Sequence, residues 1–355
     1  MSQFKINSIT DKSGTSGPVI AGVSTNNSTG CMIIPAGPTE NRGGRGRLVF
    51  VGGFYPSPHA NIGTLDTVEI ATLGNATDFG DLSVVRTAKQ MGSSGTRGIL
   101  ASGAFPGTAS YNTIDYITFQ SGGSASKFGD LSLIRADAAG FGNGVRGVFA
   151  GGYIGSSPYG TITTMQYVNI ATLGNSIVAS GEINPGPDQA HGNKSDMSVA
   201  DQTRGCIGGL LTHYHPASTQ TNSIVFVTTA TLGDSQDFGD LTIARMGANG
   251  VSSSTTRGLF YSGSPGPGTH KNTIDYITIQ TKGNAINFGD MTTSGNSGGA
   301  AHGSNLTRSV NHDSGAENTL EYVTITTLGN TQDFGDLTVA RVVYAGSDNS
   351  NGSIA

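Results

Sequence analysis

The residue pair with the clearest potential for metal chemistry is His213-x-His215. Alternate residues of a β-strand project from the same face, so two imidazoles at this spacing can bind one metal ion. The neighbouring Tyr214, Pro216 and Ser218 are instead typical of a long loop between strands. We therefore interpret the pair as part of a solvated loop, and the sequence predicts neither a metal site nor a bound cofactor.

A second candidate is the string Asp-Phe-Gly, which starts at Asp78, Asp237 and Asp333. Protein kinases use this string to bind Mg²⁺, but they also need a His-Arg-Asp catalytic loop, which this chain lacks. The string recurs in several copies of one repeat, which indicates a structural role for its phenylalanine and aspartate. We expect no enzymatic activity and no catalytic residue.

Acidic residues followed by tyrosine form a third candidate, because exposed aromatic rings can stack on sugars. The pairs are Asp115-Tyr116, Asp275-Tyr276 and Glu321-Tyr322. Calcium bound by the Phe-Gly-Asp carboxylates is a related possibility. The preferred interpretation is packing, with each tyrosine hydroxyl bonded to a neighbouring repeat. The absence of tryptophan also argues against a lectin.

The composition excludes several classes of protein. The net charge is −5, and basic residues cluster only at Arg42, Arg45 and Arg47, so no nucleic-acid partner is expected. Cys31 and Cys206 are far apart and do not form a disulfide framework. The N-terminal segment has no apolar signal region and no long apolar run follows it, which predicts neither secretion by a signal peptide nor a membrane span.

A repeat of about fifty residues organises the whole chain, and a period of this length is typical of propellers and solenoids. Each copy has Arg-Gly before a short apolar run (97–103), an alternating strand-like segment (113–119), and Phe-Gly-Asp-Leu-x-x-x-Arg (238–245). The third part begins at Phe79, Phe128, Phe238, Phe288 and Phe334. The opening arginines are Arg47, Arg97, Arg146, Arg204, Arg257 and Arg308.

The third copy is degenerate, because its last part (177–182) has lost the Phe-Gly-Asp signature. Leu-Gly-Asn or Leu-Gly-Asp predicts a hairpin turn before that part in several copies, as at 73–75. The segment after the terminal arginine, for example 87–96, is expected to supply a fourth strand.

Four short strands in each of six copies predict an all-β protein, a six-bladed β-propeller with an extended N-terminal arm. The expected blades are 41–86, 87–135, 136–184, 185–245, 246–295 and 296–341. A β-solenoid is the alternative. Segment 342–355 resembles the inter-copy segments and is expected to close the ring, unless Met32-Ile33-Ile34 fills that position. Two irregular loops, 54–59 and 185–203, are the most promising recognition segments.

The repeat resembles a Kelch-type propeller blade. Gly151-Gly152 and Tyr167 match in one copy, and Tyr276, Phe288 and Gly289-Asp290 in another. Kelch blades usually have tryptophan at the start of the last strand, where this chain has phenylalanine. The resemblance implies a fold and no function.

A narrower resemblance covers almost the whole chain. Segments 7–15 (NSITDKSGT), 17–23 (GPVIAGV) and 42–47 (RGGRGR), together with the repeat itself, are similar to virion structural proteins of cyanophages and related marine tailed phages. The resemblance implies a virion component assembled in the host cytoplasm. Its expected partners are other virion proteins.

The N-terminal segment 1–40 is interpreted as an attachment arm. Its apolar residues Phe4, Ile6, Ile9, Val19 and Ile20 lie among glycine and polar residues. Such a segment cannot bury much apolar surface alone, so we expect it to order on a partner protein. The tail, neck or fibre is the favoured location. The alternatives are an appendage that binds a host receptor or glycan, and a capsid decoration protein; oligomerisation stays open.

Overall fold

The computed structural model describes most of the repeat region and little of the N-terminal segment. The described residues are 24–25, 32–33, 46–55, 60–87, 90–103, 111–135, 137–154, 160–183, 197–210, 220–246, 249–252, 256–266, 269–292, 301–312, 317–343 and 345–350. The chain divides into two units, Met1–Arg42 with Ala355 and Gly43–Ile354. In the first unit, β1 (Ser24–Thr25) and β2 (Met32–Ile33) form an antiparallel pair.

The second unit is a six-bladed β-propeller, and each blade is a four-stranded antiparallel sheet. The first blade contains β28 (Gly346–Asp348), β3 (Arg47–Tyr55), β4 (Ala60–Glu69) and β5 (Thr77–Asp81). The second contains β6 (Gln90–Ser93), β7 (Arg97–Ala101), β8 (Thr113–Thr118) and β9 (Ser126–Asp130). The third contains β10 (Ala139–Gly142), β11 (Arg146–Ala150), β14 (Thr164–Asn169) and β15 (Ile177–Glu182).

The remaining three blades have the same order. The fourth contains β16 (Ser198–Ala200), β17 (Arg204–Gly208), β18 (Ser223–Thr228) and β19 (Gln236–Asp240). The fifth contains β20 (Asn249–Ser252), β21 (Arg257–Tyr261), β22 (Thr273–Thr278) and β23 (Ile286–Asp290). The sixth contains β24 (His302–Ser304), β25 (Arg308–His312), β26 (Thr319–Thr324) and β27 (Gln332–Asp336). A hairpin of β12 (Tyr153–Ile154) and β13 (Gly160–Thr161) extends one loop of the third blade.

The C-terminal tail closes the ring. Strand β28 pairs with β3, with Ser347 opposite Val49, so the first blade combines residues from both parts of the chain. The alternative, in which Met32 and Ile33 fill this position, is wrong because these residues pair with β1 instead. Ring closure removes the open edge that the first or last blade would otherwise leave at the axis.

The first strand of every blade lies at the axis, where it packs against the first strands of its neighbours. Glycine permits this close approach: a Cβ atom on Gly140 would lie 2.3 Å from the backbone nitrogen of Met91. The apolar core is divided into six clusters, one at each junction between blades. Opposite faces of a third strand contribute to different clusters: in β8, Ile114 packs in the cluster of Phe128 and Ile117 in the cluster of Phe79.

Candidate functional site

The propeller has two faces of different character. At one, the turn face, the third and fourth strands of every blade are joined by seven residues: 70–76, 119–125, 170–176, 229–235, 279–285 and 325–331. At the other, the loop face, the connection between second and third strands ranges from four residues (56–59) to fourteen (209–222). Connections between blades at this face range from eight residues (82–89) to fifteen (183–197). Variation in length is therefore concentrated on the loop face, which is where recognition is expected.

The five phenylalanines of the Phe-Gly-Asp signature are buried at the junctions between blades. Phe334 of the sixth blade, for example, packs with Phe50 and Ile70 of the first. Phe128, Phe288 and Phe334 also make edge contacts with tyrosines of their own blades, with ring centroids 6.1–6.2 Å apart. These residues stabilise the scaffold and form no binding surface.

The glycine after each of these phenylalanines lies against the seven-residue turn of the next blade. A Cβ atom on Gly129 would lie 2.1 Å from the carbonyl oxygen of Gly174. The backbone amide of Asp130 also donates to Asn175 Oδ1 at 3.0 Å, and that of Gly174 to the carbonyl of Phe128 at 3.1 Å. The two signatures, Phe-Gly-Asp and Leu-Gly-Asn, are thus complementary halves of one contact between neighbouring blades.

The arginines that open the repeat form a second ring of contacts. Each donates from Nη1 to a backbone carbonyl in the turn of the next blade, as Arg97 does to Ile170 at 3.1 Å and Ala171 at 3.0 Å. The ring closes where Arg308 of the sixth blade reaches Ala71 of the first at 2.9 Å. The corresponding donors in the other blades are Arg47, Arg146, Arg204 and Arg257.

A third set of contacts consists of ion pairs with no exposed side-chain surface. Arg86 pairs with Asp115 at 2.8 Å, Arg245 with Asp275 at 3.1 Å, and Arg341 with Asp66 at 2.7 Å. Each arginine ends one copy of the repeat, and each aspartate lies on the third strand of the next blade. The terminal arginine is therefore an inter-blade residue, a role that its position in the sequence did not reveal.

The junction between the second and third blades lacks the acid. Gln166 occupies the position of the aspartate, and its Oε1 accepts from the Ser132 backbone amide at 2.9 Å. The buried Arg135 instead donates to backbone carbonyls of Phe149, Gly151 and Thr164 at 3.3, 2.8 and 2.8 Å. Burial without a carboxylate partner lowers the pKa of Arg135 to about 10.

The junction between the third and fourth blades has lost both charges and the phenylalanine. Val225 occupies the position of the acid, and no arginine follows β15. Leu232 enters the resulting apolar space: it is 1% exposed, whereas Leu173 at the same position of another turn is 58% exposed. Leu232 has φ of 49°, in the left-handed region that residues with a side chain rarely adopt. A leucine of the turn thus replaces the missing aromatic ring.

The acidic residue and the tyrosine of each predicted sugar-binding pair have separate structural roles. Asp115 is fully buried in its ion pair, and Tyr116 is half-buried beneath Arg97. The expectation that the tyrosine hydroxyl reaches a neighbouring blade is wrong for Tyr322, which donates to Gln332 Oε1 of its own blade at 2.8 Å. Tyr322 and Gln332 are directly opposite each other on the third and fourth strands, so the acceptor lies within the same blade.

The metal hypotheses gain no support. In the part of the chain that the structure describes, no three His, Cys, Asp or Glu side chains are placed to hold a metal ion. His213 and His215 lie outside the described residues, as do Cys31 and the arm residues Phe4, Ile6, Ile9, Val19 and Ile20. Cys206 is buried, and burial raises the pKa of its thiol far above the ordinary value. Among the described residues there is also no helix long and apolar enough to cross a membrane.

A buried polar cluster between the fifth and sixth blades was not predicted from the sequence. The ring of His302 stacks on Tyr261, with centroids 5.0 Å apart and planes at 22°. Ser309 and Asn311 are fully buried nearby, on the strand that is apolar in other blades. Burial lowers the pKa of His302 to about 3 and, in Tyr261, raises the pKa of the phenol. The signal was present, because Arg308 is followed by Ser-Val-Asn-His instead of Gly and apolar residues.

An open cavity of about 300 Å³ lies at the turn face of the first blade. Its lining includes Arg47, Thr67, Glu69, Asn75 and Thr77. Arg47 Nε lies 3.2 Å from Glu69 Oε1, so the cavity presents a cation, a carboxylate and hydroxyl groups. This site was not predicted from the sequence.

Comparisons with known proteins support the fold alone. No family model matches the chain, and no curated protein matches it. The solved structure of YjhT is similar, with a TM-score of 0.52 and 10% sequence identity. The similarity covers 65% of this chain and 73% of YjhT. The protein therefore belongs structurally to the β-propellers, and its function must be argued from its own residues.

Proposed function

We propose that this protein is a non-enzymatic structural component of a tailed-phage particle. The observation that carries the proposal is the use of every repeated signature in contacts between blades. The opening arginines bind each blade to the next around the whole ring, the signature phenylalanines and their glycines do so at five junctions, and the buried ion pairs do so at three. A scaffold of this kind holds its shape while its loops vary, which suits a particle component.

The location of the chain ends suggests how the propeller is attached. The chain enters the propeller at Arg47, the end of β3 that lies on the turn face. The turn face is thus the face on which the first strand of the propeller begins, and it is opposite the loops of variable length. We propose that the arm, with Phe4, Ile6, Ile9, Val19 and Ile20, docks on another virion protein of the tail, neck or fibre.

A second candidate function is recognition of a host receptor or glycan by the loop face. The concentration of length variation on that face favours this role. The two functions are compatible, because attachment would use the arm and recognition would use the loops of the propeller. A capsid decoration protein would share the arm but would be distributed over the head of the particle.

The proposal is tested with particles of the phage that encodes the protein. Wild-type protein, a variant lacking residues 2–30, and a variant with that segment replaced by Gly-Ser of equal length are compared on purified particles. We expect only the wild type to be detected by immunoblot, while circular dichroism shows that both variants retain the fold. Protein found only in cell lysate would refute the virion role, and equal incorporation of all three would refute the arm.

Immunogold electron microscopy then distinguishes the locations. An antibody against segment 185–203 is suitable because this segment includes most of 183–197, the connection of fifteen residues between the third and fourth blades. Label at the tail, neck or fibre supports the proposed location, and label over the head supports decoration. Binding of isolated protein to host cells tests recognition separately.

A further inference from the structure

Five of the six blades place an arginine over an aromatic ring. The distances from Cζ to the ring centroid are 5.0 Å for Arg97–Tyr116, 4.7 Å for Arg146–Tyr167, 4.9 Å for Arg204–Phe226, 4.8 Å for Arg257–Tyr276 and 4.9 Å for Arg308–Tyr322. A guanidinium at this distance is attracted to the face of the ring. The arrangement shows which chemical group the space beneath the arginine accepts.

The first blade retains the arginine and lacks the ring. Thr67 pairs with Val49 in the same register in which Tyr116 pairs with Ile99, so threonine occupies the position of the aromatic residue. Arg47 still donates from Nη1 to the carbonyl of Phe119 in the next blade. The guanidinium is therefore held by the same inter-blade contact as in the other five blades.

The cavity of about 300 Å³ lies beneath this guanidinium. Glu69 Oε1 accepts from Arg47 Nε at 3.2 Å and helps to fix the plane of the cation. Thr77, directly opposite Thr67, has the register position of Gln332, which accepts the hydroxyl proton of Tyr322 in the sixth blade. The cavity thus presents a cation for a ring face and a hydroxyl-bearing residue, Thr77, at the strand position that receives the phenol in the sixth blade.

We propose that this cavity binds an aromatic side chain, preferentially tyrosine, from a partner polypeptide. In the first blade, the partner's ring would supply the contact with arginine that the other five blades make with their own aromatic residue. The cavity is on the turn face, where the chain enters the propeller. This proposal does not depend on the virion role. Binding of an aromatic ligand to the cavity can be measured with the isolated protein, whatever the particle role of the protein is.

The test uses p-cresol, the side-chain analogue of tyrosine, with the full-length protein. Crystals soaked in p-cresol should show its ring beneath Arg47, and titration followed by NMR should give millimolar affinity. 4-Methylcyclohexanol is the matched probe, with similar size but no π-system, and should bind several-fold more weakly. No density at this cavity, or equal affinity for the two probes, would overturn the proposal.

Two substitutions make the assignment specific. Thr67→Tyr supplies the ring from the chain itself and should abolish binding of p-cresol at this cavity, whereas Thr67→Ser should retain it. A thermal melt checks that both variants fold. Unchanged binding by folded Thr67→Tyr would contradict the site, and the crystal soak of the wild type decides the question if that variant does not fold.

Discussion

Arg341 Nη1 lies 2.7 Å from Asp66 Oδ2 in a fully buried ion pair that joins the last blade to the first. Asp66 also accepts from Thr338 Oγ1 at 2.6 Å, and Arg341 Nε donates to the Gly52 carbonyl at 2.8 Å. The junction that closes the ring is therefore held both by the pairing of β28 and by this polar contact. The two opposite charges pair directly, and neither side chain is exposed to solvent.

Asp66→Val is expected to destabilise the propeller strongly, because it leaves the Arg341 cation buried without its carboxylate. Loss of one partner of such a pair typically costs about 3–5 kcal/mol, whereas replacement of both by apolar residues is often nearly neutral. The double variant Asp66→Val with Arg341→Leu should therefore be more stable than the single one. Val225, at the junction that lacks both charges, provides a natural precedent.

Guanidinium unfolding of the three proteins measures this difference. Asp78→Ala is the matched control, because Asp78 is an exposed aspartate whose carboxylate accepts from the nearby Gly80 amide at 3.2 Å. It should change stability by less than about 0.5 kcal/mol. If the double variant is no more stable than Asp66→Val, the buried charge is not the cause of the loss.

These ion pairs show how far the sequence could predict the structure. Each aspartate and each arginine recurs at a fixed place in the repeat, so their strands could be assigned. The pairing could not be read within one copy, because Arg86 bonds to Asp115 of the following blade. The available signal was incomplete: the third copy lacks the terminal arginine and precedes the copy in which Val225 replaces the acid, but the fifth copy also lacks the arginine and precedes a copy that retains an acid, Glu321.

The strand that closes the ring could not be predicted from the sequence for a different physical reason. Both Met32-Ile33 and the segment 342–355 carry short runs suited to one edge strand, and local propensity does not distinguish them. Only the long-range pairing of Ser347 with Val49 decides the question. The cavity at Thr67 depended likewise on a missing ring, which becomes visible only when the third strands are aligned with the arginines above them.

Gly129→Ala should destabilise the contact between the second and third blades. The new Cβ atom would lie 2.1 Å from the carbonyl oxygen of Gly174, and backbone atoms on both sides must move apart. We expect a loss of about 1–3 kcal/mol, typical of overpacking.

Gly233→Ala is the matched control for this prediction, because a Cβ atom there meets nothing within 4 Å. Its φ also lies outside the left-handed region, so alanine fits without strain. The denaturant midpoint of Gly129→Ala should therefore lie clearly below that of Gly233→Ala. Equal midpoints would show that the neighbouring turn yields at little cost.

Leu232→Ala should show how much Leu232, which replaces the missing phenylalanine ring, stabilises the junction of the third and fourth blades. The side chain is 1% exposed and packs with Val225 and Tyr167 in one cluster. Its removal should cost about 2–4 kcal/mol through lost burial and the cavity left behind. The backbone strain at φ of 49° is shared by leucine and alanine, so the difference reports packing.

Leu173→Ala is the control, since this leucine has the same position in the turn of the third blade and is 58% exposed. Its substitution should leave stability within about 0.5 kcal/mol of the wild type. Thermal unfolding of both variants provides the comparison. A similar small effect of Leu232→Ala would mean that Leu232 does not fill the space of the missing phenylalanine.

The buried His302 should make the propeller less stable as the pH falls. Burial lowers the pKa of His302 to about 3, below its ordinary value of 6.5, and the positive charge that the neighbouring His312 can carry acts in the same direction. Between these values the unfolded chain binds a proton that the folded chain does not. The contribution of His302 to stability is therefore present above about pH 6.5 and is lost toward pH 3, by up to about 1.4 kcal/mol per pH unit. The buried Asp348, whose pKa is raised to about 7 by burial, contributes with the opposite sign in both proteins compared below.

His302→Phe should preserve the stacking on Tyr261 while removing the titrating group. Unfolding free energies measured at pH 7 and pH 4.5 should fall by about 2 kcal/mol more in the wild type than in the variant. Carboxylates elsewhere contribute equally to both proteins, so the difference between the two slopes isolates His302. Parallel slopes would show that His302 binds a proton in the folded protein as readily as in the unfolded chain.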